Sequence, residues 1–342
     1  MAANPPSAIP LGVAVIGLGV GEQHAHAFAA DPGCALRWLV DTDREKAEQV
    51  AGRVGSGAVA TSLDEVLGDK DVHIVSIATF DHLHADQVVA CLNAGKHVFV
   101  EKPLCRTEPE LAAIITAWKA AERPHLRSNL VLREAEMYRW LAEEIQAGAF
   151  GRIYAIDGDY LYGRLDKITE GWRGEVPDYS VIEGGGIHMI DLMVMLSGER
   201  PDTVSCIGNR IGTEDTAFRY DDFMAASYTF PSGLIGRITA NFACVHRHHH
   251  VLRVFGTEAT FIYDDAGPRL HLTRDEDQRA APIDMNPLAS SKGALIPGFV
   301  QAIRDGQGPG TAAIREFDLI RIIAATDRAH QTQTPQDIEY TP

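Results

Sequence analysis

The sequence predicts an α/β protein with an N-terminal doubly wound parallel sheet and a C-terminal α+β domain built on a large, mainly antiparallel sheet. From residue 11 to about 126, short apolar runs alternate with helical segments, which is typical of a parallel sheet covered by helices. From about residue 134 the pattern changes to strand-like runs joined by turns. The 342 residues are enough for two domains. We place these domains at 1–127 and 128–342.

The composition excludes several classes of protein. Lys and Arg number 31 against 47 Asp and Glu, a net charge of −16, which disfavours nucleic acid and anionic membranes as partners. No apolar stretch approaches the length of a membrane span, and no basic region precedes Leu11 as in a signal peptide. The five cysteines are scattered without a C-x-x-C pair, which is typical of reduced thiols. We therefore expect a cytoplasmic protein.

The first strand leads into a glycine turn that predicts a nucleotide site. The run 13–16 is apolar and β-branched, and a helix is expected over roughly 22–30. A strand, a glycine turn and a helix N-terminus in this order bind pyrophosphate through backbone N–H groups and the helix dipole, as in a Rossmann domain. The usual G-x-G-x-x-G spacing is imperfect, because residue 22 is Glu and a glycine lies one place early. The turn residues expected to bind the cofactor are Gly17, Gly19, Val20 and Gly21.

Asp41 stands at the end of the second predicted strand, 35–40, at about the offset expected for an acid that binds the ribose 2′-hydroxyl. A carboxylate there repels a 2′-phosphate, and Thr42 rather than an arginine follows it. This favours NAD over NADP, although Arg44 is close by. The alternative is that Asp41 only caps the helix predicted over 44–53.

Further polar residues follow the predicted strands 72–78 and 97–100. Ligands of open α/β sheets bind beyond the carboxyl ends of the strands. A lysine at that edge can stabilise negative charge on a reacting oxygen and relay a proton. The alternative for Lys102 is a surface lysine, but the Glu and Pro beside it favour the site. We expect the following residues, together with His82, to surround the nicotinamide: Thr79, His84, Glu101 and Lys102.

A second polar centre lies in the C-terminal domain. Trp172 and Arg173 precede a glycine-rich helix start, and His188 and Asp191 lie three residues apart on one face of that helix. A histidine with a nearby carboxylate can move a hydroxyl proton near neutral pH. The alternative is a buried structural His–Asp pair.

The C-terminal sheet is predicted to have about seven strands, more than its few helices can cover, which favours a homodimer or homotetramer.

On a strand, His246, His248 and His250 would share one face. They could contact substrate, bind a metal, or fill the sheet or an interface; no metal is expected. The predicted strands are 152–162, 204–207, 223–230, 234–243, 251–255, 260–263 and 270–273, and the helices are 134–147, 184–196, 295–304 and 312–330.

These segments, in this order, resemble the glucose–fructose oxidoreductase / inositol 2-dehydrogenase (Gfo/Idh/MocA) family over nearly the whole chain. The resemblance is strongest from residue 77 to 84 and from 94 to the Glu-Lys-Pro triplet that ends at residue 103. It continues through residues 151–153, Trp172-Arg173, the glycine run 184–186 and His188-x-x-Asp191.

The resemblance implies an NAD-dependent oxidoreductase that transfers a hydride between nicotinamide and a hydroxyl-bearing carbon of a sugar, cyclitol or sugar derivative. The family's catalytic lysine corresponds to Lys102 and its catalytic histidine to His188, so both are expected to converge on one hydroxyl. Substrate contacts are expected from His188 and from Tyr160, Trp172 and Arg173. The alternatives are a redox-neutral NAD-dependent glycosidase and a non-catalytic nucleotide-sensing protein on the same fold.

The chain departs from the family pattern at three places. The glycine motif is one residue short, and Phe80 stands where the family usually has Pro. The family often has Asp four residues before the catalytic histidine, where this chain has Gly184. Either Glu183 or Asp191 is expected to supply the carboxylate, and Asp191 is taken as the third catalytic residue.

Overall fold

The computed structural model describes residues 9–171, 176, 178–308 and 310–340. The chain forms two compact units. The first contains the residues up to Val131 together with Ala289–Ile320, and the second contains Leu132–Leu288 and the residues from Arg321 onward. The predicted boundary between 127 and 128 lies close to the first division, but the segment 289–320, which we placed in the second domain, groups with the first unit.

The first unit is built on a six-stranded sheet in the order β3-β2-β1-β4-β5-β6, and all its neighbouring strands are parallel. This confirms the predicted doubly wound sheet. Its strands are β1 Leu11–Ile16, β2 Cys34–Val40, β3 Ala58–Ala60, β4 Ile74–Ile77, β5 His97–Val100 and β6 Leu126–Ser128. Its helices are α1 Gly21–Ala30, α2 Arg44–Val54, α3 Asp64–Leu67, α4 His84–Asn93 and α5 Glu108–Ala120.

Both faces of this sheet are buried. Successive residues of each strand point to opposite sides, and residues of both sides lie in apolar clusters. In β1, Ala14 and Ile16 belong to one apolar cluster and Val13 and Val15 to another. Two helices late in the chain also contribute to these clusters: α9, Ile296–Arg304, and α10, Gly310–Thr332. Phe299 of α9 joins the second cluster and Phe317 of α10 the first, which explains why these late residues group with the N-terminal unit. The division between the two units falls within α10.

The second unit contains a nine-stranded sheet in the order β14-β13-β12-β11-β7-β10-β9-β8-β15. Every neighbouring pair is antiparallel except β7 with β10, so the prediction of a mainly antiparallel sheet is confirmed. The two strands that sequence reasoning missed, β14 and β15, are only two residues long. The strands are β7 Ile153–Leu161, β8 Thr203–Asn209, β9 Phe223–Thr229, β10 Ile235–Asn241, β11 His249–Gly256, β12 Thr260–Asp264, β13 Gly267–His271, β14 Ala281–Pro282 and β15 Gln336–Asp337.

Three helices of the second unit are α6 Glu136–Gln146, α7 Asp166–Thr169 and α8 Ile187–Ser197. A π-helical turn, Ile182–Gly186, leads directly into α8. Gly158 of β7 allows α8 to approach the sheet closely, because a Cβ at this position would lie 3.0 Å from the Cε of Met189. Residues at the start of α8 are thereby held against the carboxyl half of β7. None of the described helices combines the length and the apolar character needed to cross a bilayer.

Candidate active site

The glycine turn of the first unit lies between β1 and α1, as predicted. Gly17 has a φ of +80°, and a Cβ there would come within 2.5 Å of the carbonyl oxygen of Ala78, so only glycine fits. Among the described residues, and apart from those next to Gly19 in the chain, no atom lies within 4 Å of the place where a Cβ of Gly19 would stand. Val20 is exposed, and Gly21 begins the helix. The turn therefore offers an open stretch of backbone at a helix N-terminus, which suits a phosphate.

Asp41 follows β2 and is tied to the glycine turn. Its Oδ2 accepts hydrogen bonds from the Leu18 N–H, at 2.8 Å, and from Lys46 Nζ, at 2.7 Å. Its Oδ1 accepts one from the N–H of Asp43 at 3.1 Å. Burial alone would raise the pKa of Asp41, but these hydrogen bonds outweigh it and lower that pKa. The carboxylate is therefore ionised at neutral pH, and Oδ1 can accept a further hydrogen bond.

Thr79 and His84 connect segments at the carboxyl edge of the same sheet. The Thr79 hydroxyl donates to Gln87 Oε1 at 2.6 Å. His84 is fully buried, with Nδ1 2.6 Å from the carbonyl oxygen of Pro103 and Nε2 3.3 Å from that of Thr79. His84 therefore links the loops after β4 and β5 through backbone contacts, and direct cofactor binding by either residue stays a prediction.

Glu101 is held by two side chains that sequence reasoning did not single out. Its Oε1 lies 3.2 Å from Nε2 of His24 and accepts a hydrogen bond from Asn129 Nδ2 at 2.7 Å. Its Oε2 accepts from the backbone N–H of Lys102 at 3.3 Å. Burial opposes ionisation, but the His24 and Asn129 hydrogen bonds and the nearby charges bring the pKa of Glu101 down to about 2. Lys102 therefore follows a fixed, largely buried negative charge at the carboxyl edge of the sheet.

The same hydrogen-bond network indicates which nitrogen of the His24 ring donates to Glu101. Asn129 Nδ2 has two hydrogens, and it lies 2.7 Å from both Glu101 and the carbonyl oxygen of Lys292. His24 Nε2 is then the donor toward Glu101, and its Nδ1 lies 3.0 Å from the Ser76 hydroxyl. A histidine three residues into α1 was the available sequence signal, but its partners lie on β4 and beyond β5 and β6.

In the second unit, His188 is the second residue of α8 and is buried. Its ring packs against the Tyr160 ring at a centroid distance of 5.9 Å and against the His250 ring at 6.1 Å. The predicted substrate residue Tyr160 and the predicted base His188 thus lie together. Trp172 and Arg173 lie outside the described residues.

Asp191 makes a forked ion pair with Arg133, a residue that sequence reasoning missed. Arg133 Nε lies 2.9 Å from Oδ2 and Nη2 lies 2.6 Å from Oδ1. Both side chains are largely buried, with exposed fractions of 14% for Arg133 and 8% for Asp191. If Asp191 also acts on His188, as predicted, it does so while it is bound to the Arg133 guanidinium.

The glycine run before His188 is filled by aromatic rings. A Cβ on Gly184 would overlap the Tyr179 hydroxyl, and one on Gly185 would overlap the Tyr160 ring. The space that a side chain at 184 would need is therefore occupied by a phenol. Glu183 is buried in the same turn.

The expectation that His246, His248 and His250 share one strand face is wrong for His246. β11 begins only at His249, so the preceding residues do not alternate as a strand does. His246 is paired with Asp265, with Nε2 2.8 Å from Oδ2, and that contact raises the pKa of His246. His248 and His250 lie together, with ring centroids 4.9 Å apart. Among the described residues, no group of His, Cys, Asp and Glu could hold a metal ion.

Two family models cover most of the chain. Residues 11–128 match the model described as an oxidoreductase family with an NAD-binding Rossmann fold, GFO_IDH_MocA. Residues 138–262 match the GFO/IDH/MocA C-terminal domain. The chain belongs to the Gfo/Idh/MocA oxidoreductase family.

Relatives in the Gfo/Idh/MocA family include several named dehydrogenases. A 4-carboxy-2-hydroxymuconate-6-semialdehyde dehydrogenase from Sphingobium sp. is 35% identical over 91% of this chain and 96% of its own. Levoglucosan dehydrogenase from Pseudarthrobacter phenanthrenivorans is 27% identical over 74% of this chain and 73% of its own. A solved levoglucosan dehydrogenase in complex with NADH has a TM-score of 0.84 at 22% identity, covering 97% of this chain and all of the other, which shows a shared fold.

Membership of the Gfo/Idh/MocA family makes this protein a nicotinamide-dependent oxidoreductase with an NAD-binding N-terminal domain. The residues of the first unit fit NAD on structural grounds. The open backbone at Gly19 suits a pyrophosphate, and the ionised Asp41 lies at the end of β2, where a ribose hydroxyl needs an acceptor.

Proposed function

We propose that this Gfo/Idh/MocA oxidoreductase transfers a hydride between NAD and a hydroxyl-bearing carbon of a sugar, cyclitol or sugar derivative. The observation that carries the proposal is the place of Lys102, directly after β5 at the carboxyl edge of an NAD-binding sheet and beside the ionised Glu101. When bound, the nicotinamide supplies the hydride acceptor or donor. The remaining chemistry, a proton and a developing charge on oxygen, falls to side chains.

The lysine suits the charge on oxygen. As the hydroxyl loses its proton, its oxygen becomes alkoxide-like, and a nearby ammonium lowers the energy of that charge. Glu101 is held by His24 and Asn129 rather than by solvent. A negative charge fixed next to Lys102 favours the protonated ammonium that this role needs.

The histidine suits the proton. A neutral imidazole accepts a proton near pH 7, and His188 is held in place by the rings of Tyr160 and His250. Asp191 is proposed to act on this histidine as a positioning residue while it binds Arg133.

A second candidate substrate class is a carboxylated semialdehyde. It is favoured by the Sphingobium semialdehyde dehydrogenase, whose 35% identity to this chain is higher than that of the other relatives described above. Oxidation of such a compound as its hydrate or cyclic hemiacetal would again remove a hydride from a hydroxyl-bearing carbon, so the same two side chains would serve.

A panel of sugars, cyclitols, sugar acids and carboxylated semialdehydes, followed by NADH absorbance, tests the reaction. With the best compound, Lys102→Ala and His188→Ala are each expected to lower turnover by roughly two to four orders of magnitude, the usual range for general acid–base groups. Neither change should weaken NAD binding, because neither residue is placed at the pyrophosphate.

Matched controls are Lys70→Ala and His26→Ala, since both of these side chains are exposed. Near-normal turnover of His188→Ala on the best compound would make this histidine structural. The proton would then have to leave through Lys102 or a tyrosine such as Tyr160.

We also propose a cytoplasmic location, supported by five cysteines that are all free thiols in the structure.

A further inference from the structure

A compact group of rings surrounds His188 at the carboxyl end of β7. The imidazole–tyrosine cluster, as we name it, consists of Tyr160, Tyr162, His188, His248 and His250. The Tyr160 ring lies at its centre, with centroid distances of 5.9 Å to His188, 5.2 Å to His248 and 5.3 Å to His250. Tyr160 and His250 are paired residues of β7 and β11, so the sheet register itself sets their separation.

Permanent positive charge lies at the edge of this cluster. The guanidinium carbon of Arg164 is 5.5 Å from the centroid of the Tyr162 ring. The Tyr162 ring is in turn 5.5 Å from that of His248. Arg164 is exposed, so its remaining N–H donors are available to a ligand that reaches the cluster from solvent.

The acidic residues of β7 lie on the other face of the sheet, because side chains alternate along a strand. Asp157 binds Arg237 with an Oδ2–Nη2 distance of 2.6 Å. Asp159 binds Thr239 at 2.8 Å and Arg253 at 3.1 Å. The strand therefore separates its charges: the carboxylates are neutralised on one face, and the imidazoles gather on the face that carries His188.

We infer that the substrate carries an oxyanion group, a carboxylate or a phosphate, and that His248, His250 and Arg164 bind it while His188 acts on the neighbouring hydroxyl. The Arg164 guanidinium is charged, the imidazoles become charged on protonation, and an oxyanion accepts several charge-assisted hydrogen bonds at once, which a neutral sugar cannot match. An anion entering the cluster also favours the protonated form of the imidazoles around it. The inference rests on the proposed function, because it takes His188 as the residue beside the reacting carbon.

Binding to the NAD-loaded protein tests the group directly. D-glucuronate, D-glucose 6-phosphate and D-glucose share one ring and differ in charge, and calorimetry gives their dissociation constants. At least one of the two anions is expected to bind roughly tenfold or more tightly than D-glucose, since one hydrogen bond to a charged group is worth about 1.5–3 kcal/mol. The preferred anion distinguishes a carboxylate site from a phosphate site.

Variants assign the effect to the cluster. His250→Gln and Arg164→Met keep much of the side-chain volume and remove, respectively, an imidazole that an anion can protonate and a guanidinium, so each should weaken the preferred anion by roughly tenfold while leaving D-glucose within about twofold. His246→Gln and Arg247→Met are matched controls, because both of these residues are paired with Asp265 instead. These controls are expected to bind all three compounds as the unaltered protein does.

The inference is overturned if D-glucose binds as tightly as both anions, or if the two cluster variants weaken D-glucose as much as the preferred anion. Its failure is distinguishable from failure of the proposed function. An anion site with the expected variant pattern, in a protein that oxidises no compound of the panel, leaves the inference standing and removes the dehydrogenase. Oxidation of neutral sugars with a KM unaffected by His250→Gln does the reverse.

Discussion

Asp191 is neutralised by Arg133, and this contact changes what a substitution at Asp191 measures. The forked pair satisfies both carboxylate oxygens in a largely buried position. Removing one member of such a pair leaves the other charge buried without compensation, which is costly. Loss of activity alone would therefore not separate a role toward His188 from a role in folding.

Asp191→Asn is expected to lower the free energy of unfolding by about 3 kcal/mol, measured by urea denaturation. If Asp191 also positions His188, the acidic limb of the pH–rate profile should move in this variant. An unchanged profile with the same loss of stability would restrict Asp191 to its pair with Arg133. Asp166→Asn is the control, because that carboxylate is 62% exposed.

Asp41 is expected to select NAD over NADP. Its ionised carboxylate would repel a 2′-phosphate, and no arginine follows it directly. Asp41→Ala combined with Thr42→Arg should therefore move the preference toward NADP, measured as the ratio of the two dissociation constants in fluorescence titrations. Tighter binding of NADP than of NAD by the unaltered protein would show that the assignment of Asp41 is wrong.

At the scale of elements, histidines near the starts of parallel strands accept hydrogen bonds from backbone N–H groups. The N–H of Gly12, in β1, donates to Nδ1 of His73, just before β4, at 3.0 Å. The N–H of His125, just before β6, donates to Nδ1 of His97, the first residue of β5, at 2.9 Å. Each acceptor role requires an unprotonated Nδ1. Burial, with the neighbouring His125 and His73, lowers the pKa of His97 to about 4.

This pKa makes the first unit acid-sensitive. Between pH 6.5 and about 4 the unfolded chain binds a proton at His97 and the folded chain does not, so the free energy of unfolding falls over that window and levels off below it. The total loss is at most about 3.4 kcal/mol at 1.36 kcal/mol per pKa unit. His97→Asn, whose Oδ1 can accept the same N–H, should flatten the pH dependence of urea unfolding. An unchanged slope in that variant would assign the sensitivity to other groups.

The elements themselves were largely predictable, while many partners within the site were not. Apolar runs of strand length identified β1, β4 and β5. His24 and Asn129 could not be assigned to Glu101, because 77 and 28 residues separate them in sequence and only the assembled sheet joins them. The same holds for Arg133 and Asp191, 58 residues apart. Local pattern predicts elements; contacts of high sequence separation follow from the topology.

At the scale of the whole molecule, a net charge of −16 keeps copies apart unless a surface overcomes it. The nine-stranded sheet carries large apolar side chains that remain exposed in the single chain, among them Ile207, 65% exposed, and Ile235, 56% exposed. We propose that this sheet forms a homodimer or homotetramer. Light scattering at micromolar concentration should give a mass of two or four chains, and a mass of 37.2 kDa would rule the assembly out.

The phenol of Tyr179, which stands where a side chain at residue 184 would begin, makes these two positions epistatic. An aspartate could not be introduced at residue 184 alone, because Gly184→Asp would drive the new side chain into the buried Tyr179 ring. Truncating Tyr179 first would leave a void against glycine and lose the packing of a large aromatic side chain. Either order passes through a damaged intermediate, so exchanging glycine for aspartate at residue 184 requires both positions to change together.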